Sequence, residues 1–372
     1  MVHEDVKEET EGPQVMNIHV FTSCSYSYLN RARVLSSSLR RQHPDWVIWL
    51  VMTDKEPEGF TFDLAQEDFD RIITAEELFG EETERWLFSH DIVEACTAVK
   101  GRACVRILEE ADCDKLFYFD PDIALFNPMS DVVDLLDTHS IVLTPHQTDP
   151  DSMSDKVAIR DNEITSLDYG VFNLGFLAMA NDDEGRRFAQ WWDNRLHDWC
   201  YDRLDIGLFV DQKWCNLVPC FFDRVKVLRD PGYNVASWNL SQRVMRYDDQ
   251  GTALINDRPL RFYHFTKLGP VGDTMTQRYA RDCIEIYELW WWYRTAVAEV
   301  SSSDIPTGWW FYGAFDNGEK ISKSVRELYR ERQDLRAAFA FPLRTGEGSF
   351  NEWLHNNTDL MSANEERGFI PV

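Results

Sequence analysis

The sequence has few basic residues for its acidic content and contains no long apolar run. Its 372 residues include 38 Lys and Arg against 64 Asp and Glu, which gives a formal net charge of −26. A field of that sign repels a phosphate backbone, so we expect no nucleic-acid partner. No apolar run approaches the roughly 18 residues that a membrane-spanning helix needs. These two features exclude the usual nucleic-acid-binding and integral-membrane classes.

The cysteine pattern lacks the pairs that mark zinc or redox sites. The eight cysteines form no CxxC pair, and several lie within apolar patterns where a free thiol behaves as a small hydrophobe. We therefore expect a reducing compartment. The acidic, polar segment 1–15 differs from a leader peptide and predicts a disordered tail. The expected location is cytoplasmic, with peripheral association at the inner face of the membrane left open.

The apolar patterns predict an α/β core with a helical C-terminal region. Segments 17–21, 28–42 and 47–52 read as strand, helix and strand, which is a βαβ unit and favours a parallel sheet. We place an α/β domain over 16–270 and a helical extension, packed on or beside it, over 271–372. The further predicted strands are 115–119, 140–144, 225–228 and 260–265, and the further predicted helices are 86–111 with a break at Gly101, 184–200, 275–300 and 320–338.

The strongest chemical signal is Asp120-Pro121-Asp122 at the end of the buried strand 115–119. In an extended segment, side chains two residues apart point the same way, so both carboxylates can face one point. Two adjacent negative charges are costly unless a cation neutralises them, and hard divalent ions prefer such oxygen ligands. The alternative is an ordinary strand-to-turn junction, where Asp and Pro are common. Its place at the carboxyl end of a strand in an α/β sheet, where ligands usually bind, favours the cation site.

Five segments occur in a characteristic order along the chain: Asp120-Pro121-Asp122, the DYGVFNLGF run at 168–176, VDQKWCN at 210–216, PGYNV at 231–235 followed by WNL at 238–240, and RFYHF at 261–265. Together they resemble the GT-A glycosyltransferases, and within them the family 8-like retaining group. The resemblance implies a GT-A fold, with a mixed, mainly parallel sheet flanked by helices. It also implies transfer of a sugar, with retention, from a nucleoside-diphosphate sugar, with a UDP-sugar as the first candidate, to a glycan or glycolipid acceptor.

The same resemblance assigns site residues. Asp120, Asp122 and His264 would hold Mn²⁺ or Mg²⁺ across the diphosphate. Asp211 and Gln212 would lie beside the anomeric carbon, where nucleophile, charge stabiliser and sugar-hydroxyl ligand remain alternatives for Asp211. The group's Lys-Pro-Trp after the HF motif is replaced here by Thr266–Pro270. Within that segment Lys267 is the candidate for the diphosphate-binding lysine, and the motif residues Trp238 and Asn239 join the substrate-binding set.

Position in the predicted elements adds further substrate-binding candidates, each with a structural alternative. Thr22 follows the first strand and Tyr28 opens the first helix, where they could meet the nucleoside; Tyr28 could equally pack in the core. Asp54 ends the second strand, where it could bind the ribose or base or could simply be a turn residue. Lys100, on the helix before the Asp-Pro-Asp strand, could bind the diphosphate or the donor sugar; the alternative is a solvated surface lysine. Asn173 and Gly175 could bind sugar hydroxyls; the alternative is a bulge in a core strand.

Two other classes of function remain as alternatives. A non-catalytic glycan- or nucleotide-binding module would not need converging carboxylates. A sugar nucleotidyltransferase would carry a Gly-rich phosphate loop with Arg and Lys near the first strand, and the sequence has none. The aromatic run 290–293 is expected in a core or interface, although three successive Trp cannot share one helix face. The basic positions between 320 and 336 are expected on a solvated helix face.

Overall fold

The computed structural model describes residues 16–110 and 112–357, so the predicted tail 1–15 lies outside the described residues. The strands are β1 (Ile18–Cys24), β2 (Val47–Met52), β3 (Arg71–Thr74), β4 (Lys115–Phe119), β5 (Ile123–Leu125), β6 (Ile141–Pro145), β7 (Phe172–Ala180), β8 (Asp202–Arg203), β9 (Leu208–Phe209), β10 (Val225–Val227), β11 (Val235–Ala236), β12 (Met245–Tyr247), β13 (Ala253–Ile255), β14 (Arg258–Pro259) and β15 (Phe262–His264). The helices are α1 (Leu29–Gln42), α2 (Ala75–Phe79), α3 (Thr83–Phe88), α4 (Ile92–Leu108), α5 (Ser130–Leu135), α6 (Lys156–Ala158), α7 (Thr165–Tyr169), α8 (Asp183–Trp199), α9 (Val218–Phe221), α10 (Pro270–Ala280), α11 (Ile284–Glu299), α12 (Lys323–Glu331), α13 (Gln333–Ala338) and α14 (Phe350–Asn356), with a π-helical turn at Ile159–Ile164 joining α6 to α7.

A seven-stranded sheet forms the centre, in the order β10-β6-β7-β4-β1-β2-β3. Strands β4, β1, β2 and β3 are parallel to one another, β10 is parallel to β6, and β7 alone runs antiparallel to its neighbours β4 and β6. The predicted mixed, mainly parallel α/β sheet flanked by helices is therefore confirmed. Two short strands, β11 and β5, flank β15 in a separate small sheet.

Alternation along the central strands supplies a hydrophobic core on each face of the sheet. On β1 and β2, Phe21 and Trp49 pack on the face covered by α4 and α8. Their neighbours Val20 and Ile48 pack on the opposite face with α1. Because successive side chains of a strand point to opposite faces, a strand such as β1, which is buried at every position, must be covered on both sides. That pattern places the sheet as the middle of three layers.

The helix predicted over 86–111 is two helices, and its expected break at Gly101 is wrong. Helix α3 ends at Phe88, and α4 begins after Asp91, whose carboxylate accepts from the backbone N–H groups of Val93 and Glu94 in a capping box. Gly101 lies inside α4, where a Cβ would come within 2.5 Å of the Cα of Asp193 on α8. Glycine is needed there for close helix packing, which composition alone does not distinguish from a helix break.

The C-terminal region is mainly helical, but each long helix expected there is divided. Helices α10 and α11 replace the single helix 275–300, and α12 and α13 replace 320–338. Tyr312 and Phe350 join the core formed with α3 and α4. No helix in the described part of the chain is long and apolar enough to cross a membrane.

Two surface expectations for this region have different outcomes. The basic positions of α12 were expected to be solvated, and this is wrong for Arg326 and Arg330, which are buried. Arg326 donates to the carbonyls of Phe88 and Tyr312, so it holds α12 to the preceding elements. In the aromatic run, Trp290 is buried and Trp291 is exposed, as expected when successive residues are about 100° apart on a helix.

Candidate active site

The ends of three strands bring two carboxylates and one imidazole together. Asp120 follows β4, and Asp122 immediately precedes β5. Strand β5 pairs with β15, in a register that sets His264 opposite Ile123. Two backbone hydrogen bonds fix the intervening turn, since Asp120 N donates to the Gly175 carbonyl at 2.8 Å and Phe265 N donates to the Asp122 carbonyl at 2.8 Å. The three side chains expected to form a metal site are therefore held by the backbone near one point.

These three side chains present ligand atoms that all lie within 4.8 Å of one another. His264 Nε2 is 2.9 Å from Asp122 Oδ1 and 3.7 Å from Asp120 Oδ2. Burial alone would lower the pKa of His264, but the Asp122 and Asp120 carboxylates outweigh it and raise that pKa. Two carboxylates and one imidazole match the preferences of Mn²⁺, and the carboxylates those of Mg²⁺. The donor set fits a divalent cation.

A chain of amide hydrogen bonds orients the His264 ring. Gln212 Nε2 donates to the Tyr169 carbonyl at 2.9 Å, so Gln212 Oε1 faces Asn173 and accepts from its Nδ2 at 3.2 Å. Asn173 Oδ1 then lies 3.2 Å from His264 Nδ1, which must carry the proton. The other ring nitrogen, Nε2, is left facing the two carboxylates. A ring held in this way by its second nitrogen is the usual arrangement of metal-binding histidines.

Gly175 allows the imidazole to approach the sheet. A Cβ at this position would lie 2.6 Å from His264 Cε1, 2.7 Å from its Nδ1 and 2.9 Å from Asn173 Oδ1. The sequence-based hypothesis gave Gly175 the task of admitting a ligand close to the backbone. In the structure the group packed against it is the His264 side chain, so Gly175 makes room for one of the three candidate metal ligands.

Lys100 lies among acidic and carbonyl oxygens, so the alternative of a solvated surface lysine is wrong. It is 1% exposed. Its Nζ donates to Asp120 Oδ1 at 3.0 Å and the Leu174 carbonyl at 3.1 Å, and lies 2.9 Å from Asp211 Oδ2. Burial opposes the charged form, but Asp120 and Asp211 raise the pKa of Lys100 well above its usual value. The ammonium therefore links two carboxylates.

Asp211 is almost wholly buried beside that ammonium, at 2% exposure. Burial raises the pKa of Asp211 to about 6, against the opposing effect of Lys100. Val210 before it has φ of 36°, a left-handed conformation that is rare for a β-branched residue. Such strain persists only where surrounding contacts enforce it, and it is concentrated at functional sites.

The predicted nucleoside contacts occupy different surroundings. Thr22 lies inside β1, which continues to Cys24, so its placement after the first strand is wrong, and its hydroxyl is buried. Tyr28 is partly exposed, and the Arg31 guanidinium lies 3.8 Å from the centre of its ring. Asp54 accepts from the backbone N–H groups of Lys55 at 2.9 Å and Phe311 at 2.8 Å. Asp54 thus ties the end of β2 to the C-terminal region, and its nucleotide role stays a prediction.

The three candidates from the later motifs also differ. The Trp238 ring packs edge-on against His264, with centroids 5.3 Å apart. Asn239 accepts from Ala236 N at 3.0 Å and donates to the Asn234 carbonyl at 2.9 Å, so its amide holds the turn. Lys267 is exposed on the loop between β15 and α10, with φ of 54°. Of these three, Trp238 is in contact with the candidate cation site.

Sequence reasoning missed two residues of the site. The Tyr118 hydroxyl donates to Asp120 Oδ1 at 2.6 Å. It lies two residues before Asp120, and the period of a strand indicates a shared face. His146 Nε2 lies 3.4 Å from Asn173 Nδ2, and burial lowers the pKa of His146 to about 4. Its signal was its position just after β6, at the same sheet edge as Asp120.

No protein-family model matches the chain. The uncharacterised protein YfnF of Bacillus subtilis strain 168 is 28% identical over 155 residues, which are 42% of this chain and 47% of that protein. The chain thus spans about half the length of this curated relative.

Solved glycosyltransferases are similar to the structure at low identity. The galactosyltransferase LgtC, in complex with donor and acceptor sugar analogues, aligns with a TM-score of 0.41 and 16% identity over 78% of this chain and 98% of LgtC. The glycosyltransferase GlyE of Streptococcus pneumoniae TIGR4 aligns with a TM-score of 0.41 and 18% identity over 76% of this chain and 63% of GlyE.

Proposed function

We propose that the protein is a metal-dependent GT-A glycosyltransferase. It would transfer a sugar from a nucleoside-diphosphate sugar to a glycan or glycolipid acceptor, with retention of the anomeric configuration. A UDP-sugar is the first candidate donor. The observation that carries the proposal is the convergence of Asp120, Asp122 and His264, with ligand atoms within 4.8 Å of one another, at the edge of the sheet where α/β proteins bind ligands.

The residues of the site have distinct tasks in this proposal. Asp120, Asp122 and His264 would hold Mn²⁺ or Mg²⁺, and Asn173 and Gln212 keep the imidazole in the tautomer that binds it. A bound divalent cation would neutralise the charge that develops on the departing nucleoside diphosphate.

Two buried charges beside the cation site extend this assignment. Lys100 prevents Asp120 and Asp211 from repelling each other, since its Nζ lies within 3.0 Å of an oxygen of each. We assign Asp211 to stabilise the positive charge that grows at the anomeric carbon as the leaving group departs. A fixed charge in a water-excluded site does this at little reorganisation cost. Trp238 and Lys267 remain our candidates for sugar and diphosphate contacts.

A thermal-shift screen tests the proposal directly. The protein is melted with nucleoside diphosphates and their sugars, each with and without Mn²⁺. A ligand at 100 times its dissociation constant stabilises a protein by about 2.7 kcal/mol, which is readily visible. We expect stabilisation that requires both the metal and one nucleotide, and its loss in Asp122→Asn. Asp257→Asn is the matched control and should behave as wild type, because Asp257 is an exposed acid in the turn between β13 and β14.

Product analysis separates the competing functions. Release of a nucleoside diphosphate with sugar on an acceptor supports the transferase. Release of pyrophosphate indicates a nucleotidyltransferase, and metal-dependent binding without turnover indicates a binding module. Unchanged transfer by both Asp120→Asn and Asp122→Asn would contradict the metal assignment.

A further inference from the structure

Away from the candidate active site, a cavity of about 860 Å³ opens between α3, the end of α8 and the α12–α13 pair. None of Asp120, Asp122 and His264 lines it. Its wall combines aromatic rings with four arginines, Arg85, Arg203, Arg330 and Arg336. Four guanidinium groups around one cavity are unexpected in a chain whose formal net charge is −26.

Two of these arginines retain donors that the described residues do not use. Arg330 is 6% exposed, yet its Nη1 has no hydrogen-bond partner there, since Glu94 Oε2 is 3.6 Å away. Its guanidinium lies 3.6 Å from the centre of the Tyr201 ring, which fixes its orientation. Arg336 is exposed and forms no ion pair within the described residues. The acidic residues of the wall are otherwise engaged, with Glu82 on Arg85, Asp198 on His197 and Glu331 on Arg203.

His90, in the wall of the same cavity, holds an unused acceptor beneath the surface. Its Nδ1 is 2.7 Å from the Trp86 carbonyl and therefore carries the proton. Burial keeps the ring neutral by lowering the pKa of His90 to about 3. The remaining nitrogen, Nε2, is buried and has no partner among the described residues. A buried acceptor of this kind calls for a hydroxyl donor, because leaving it unpaired is costly.

The cavity also has a solvent-exposed aromatic surface. Trp199 lines the cavity with 49% of its surface exposed. A ligand that matches the accessible wall must offer a negative group to the guanidiniums and a weakly polar face to the indole. Sugars that carry a carboxylate or phosphate combine both.

We propose that this cavity binds a negatively charged glycan. Its purpose rests on the proposed transferase function, in which the cavity would select an acidic acceptor, but the binding itself does not require that function. The cavity lies next to the catalytic segment, since the Tyr201 carbonyl accepts from Val210 N at 2.9 Å and Val210 precedes Asp211. Occupancy beside Tyr201 would therefore bear on the strained backbone that positions Asp211.

Isothermal titration calorimetry on the full chain tests the proposal, with chelator present so that the cation site plays no part. The probes are a hyaluronan tetrasaccharide for a carboxylate, glucose 6-phosphate for a phosphate and maltotetraose as the neutral sugar. Trp199→Ala and Arg336→Ala change exposed residues of the wall. Trp291→Ala and Arg246→Ala remove the same side-chain types from exposed positions outside the cavity.

We expect at least one anionic probe to bind at least tenfold more tightly than maltotetraose. Each cavity variant should weaken that binding about tenfold, as loss of one charge-assisted or stacking contact would, and the controls should leave it unchanged. Failure of both anionic probes, equal binding of the neutral sugar, or an equal loss in the controls overturns the proposal. Because metal-dependent nucleotide binding is measured separately, failure of this inference leaves the transferase proposal standing, and the reverse also holds.

Discussion

Replacement of Lys100 by Met should destabilise the fold strongly, and replacement of its buried partner as well should restore most of the loss. The Lys100 ammonium lies within 3.0 Å of Asp120 Oδ1 and Asp211 Oδ2. The side chain of Asp120 is 26% exposed and keeps the Tyr118 hydroxyl as a donor. Asp211 is only 3% exposed in its side chain, so without Lys100 its charge has neither water nor a counter-ion.

The size of the loss follows from the cost of that uncompensated charge. Removing one partner of a buried ion pair typically costs about 3–5 kcal/mol. Protonation limits the cost to the lower part of that range, because burial has already raised the pKa of Asp211 to about 6 in wild type. We therefore expect Lys100→Met to lose about 3–4 kcal/mol of unfolding free energy at pH 7. The double variant Lys100→Met/Asp211→Leu should lose only about 1–2 kcal/mol, since an apolar pair replaces the ion pair.

The pH dependence gives a second reading of the same pair. Asp211 already has a pKa raised to about 6, and loss of Lys100 raises it further. A carboxyl whose pKa is raised by folding binds its proton more readily in the folded state, so acidification favours that state. As the pH falls from 7 to 6, Asp211 becomes protonated in Lys100→Met before it does in wild type. The difference in unfolding free energy between the two proteins should therefore shrink by about 1 kcal/mol over that interval.

Urea unfolding followed by tryptophan fluorescence measures these differences, with Lys115→Met as the matched control. Lys115 is also a buried lysine, but its partner Asp137 is 56% exposed in its side chain and stays hydrated. The control should lose less than the Lys100 variant and should not be rescued by changing Asp137. Additive losses from Lys100→Met and Asp211→Leu, or equal losses in the two lysine variants, would refute the reasoning.

Three further predictions concern single positions. Gly101→Ala should lower the free energy of unfolding by about 1–3 kcal/mol in urea, because the added Cβ would lie 2.5 Å from Asp193 Cα. The same change in an unhindered helix is stabilising, so a stabilised variant would contradict the close packing of α4 and α8. Gly175→Ala should weaken Mn²⁺ binding about tenfold or more in calorimetry while the far-ultraviolet spectrum stays native, because the added methyl group displaces His264; unchanged affinity would show that the ring is not held against the strand. His43 accepts from Met129 N at 2.9 Å, and burial lowers its pKa to about 4. The unfolded state therefore binds this proton first as pH falls below about 6.5, and wild type should lose about 2 kcal/mol between pH 7 and 5 that His43→Gln does not lose; parallel stability curves would be the contrary result.

Five of the seven central strands were predictable, because each carries a local pattern, whereas β3 was not predicted and β7 appeared only as an apolar motif run. β1, β2, β4 and β6 are mainly apolar, and their two-residue alternation divides the residues between two cores. Helix boundaries were less predictable, because the deciding contacts join residues far apart in sequence. A glycine such as Gly101 commonly marks a helix break, but here it allows close packing against the backbone of α8, about 90 residues later in the sequence.

The candidate site shows the same division between local and distant information. Asp120 and Asp122 could be placed on one point from their spacing and the preceding strand. His264 could be joined to them only through a motif resemblance, because its position depends on the pairing of β5 with β15. Lys100 shows what spacing cannot supply. A lysine on an amphipathic helix is ordinarily solvated, and only the position of α4 against the ends of β4 and β7 brings its ammonium to three oxygens.

The burial of Lys100 also constrains how the proposed chemistry can work. The Lys100 ammonium donates to Asp120 and the Leu174 carbonyl, lies 2.9 Å from Asp211 Oδ2 and is 1% exposed, so we expect its charge to act on the two carboxylates and not on the leaving group. In the proposed chemistry, a cation held by Asp120, Asp122 and His264, together with the candidate Lys267 on the following loop, would supply the positive charge that the leaving group needs. A chain of net charge −26 that handles an anionic donor would depend on that cation more than one with free arginines at the site, because the cation inverts the local field. Nucleotide affinity should accordingly be nearly lost without metal, which makes the comparison with and without Mn²⁺ the most discriminating arm of the binding screen.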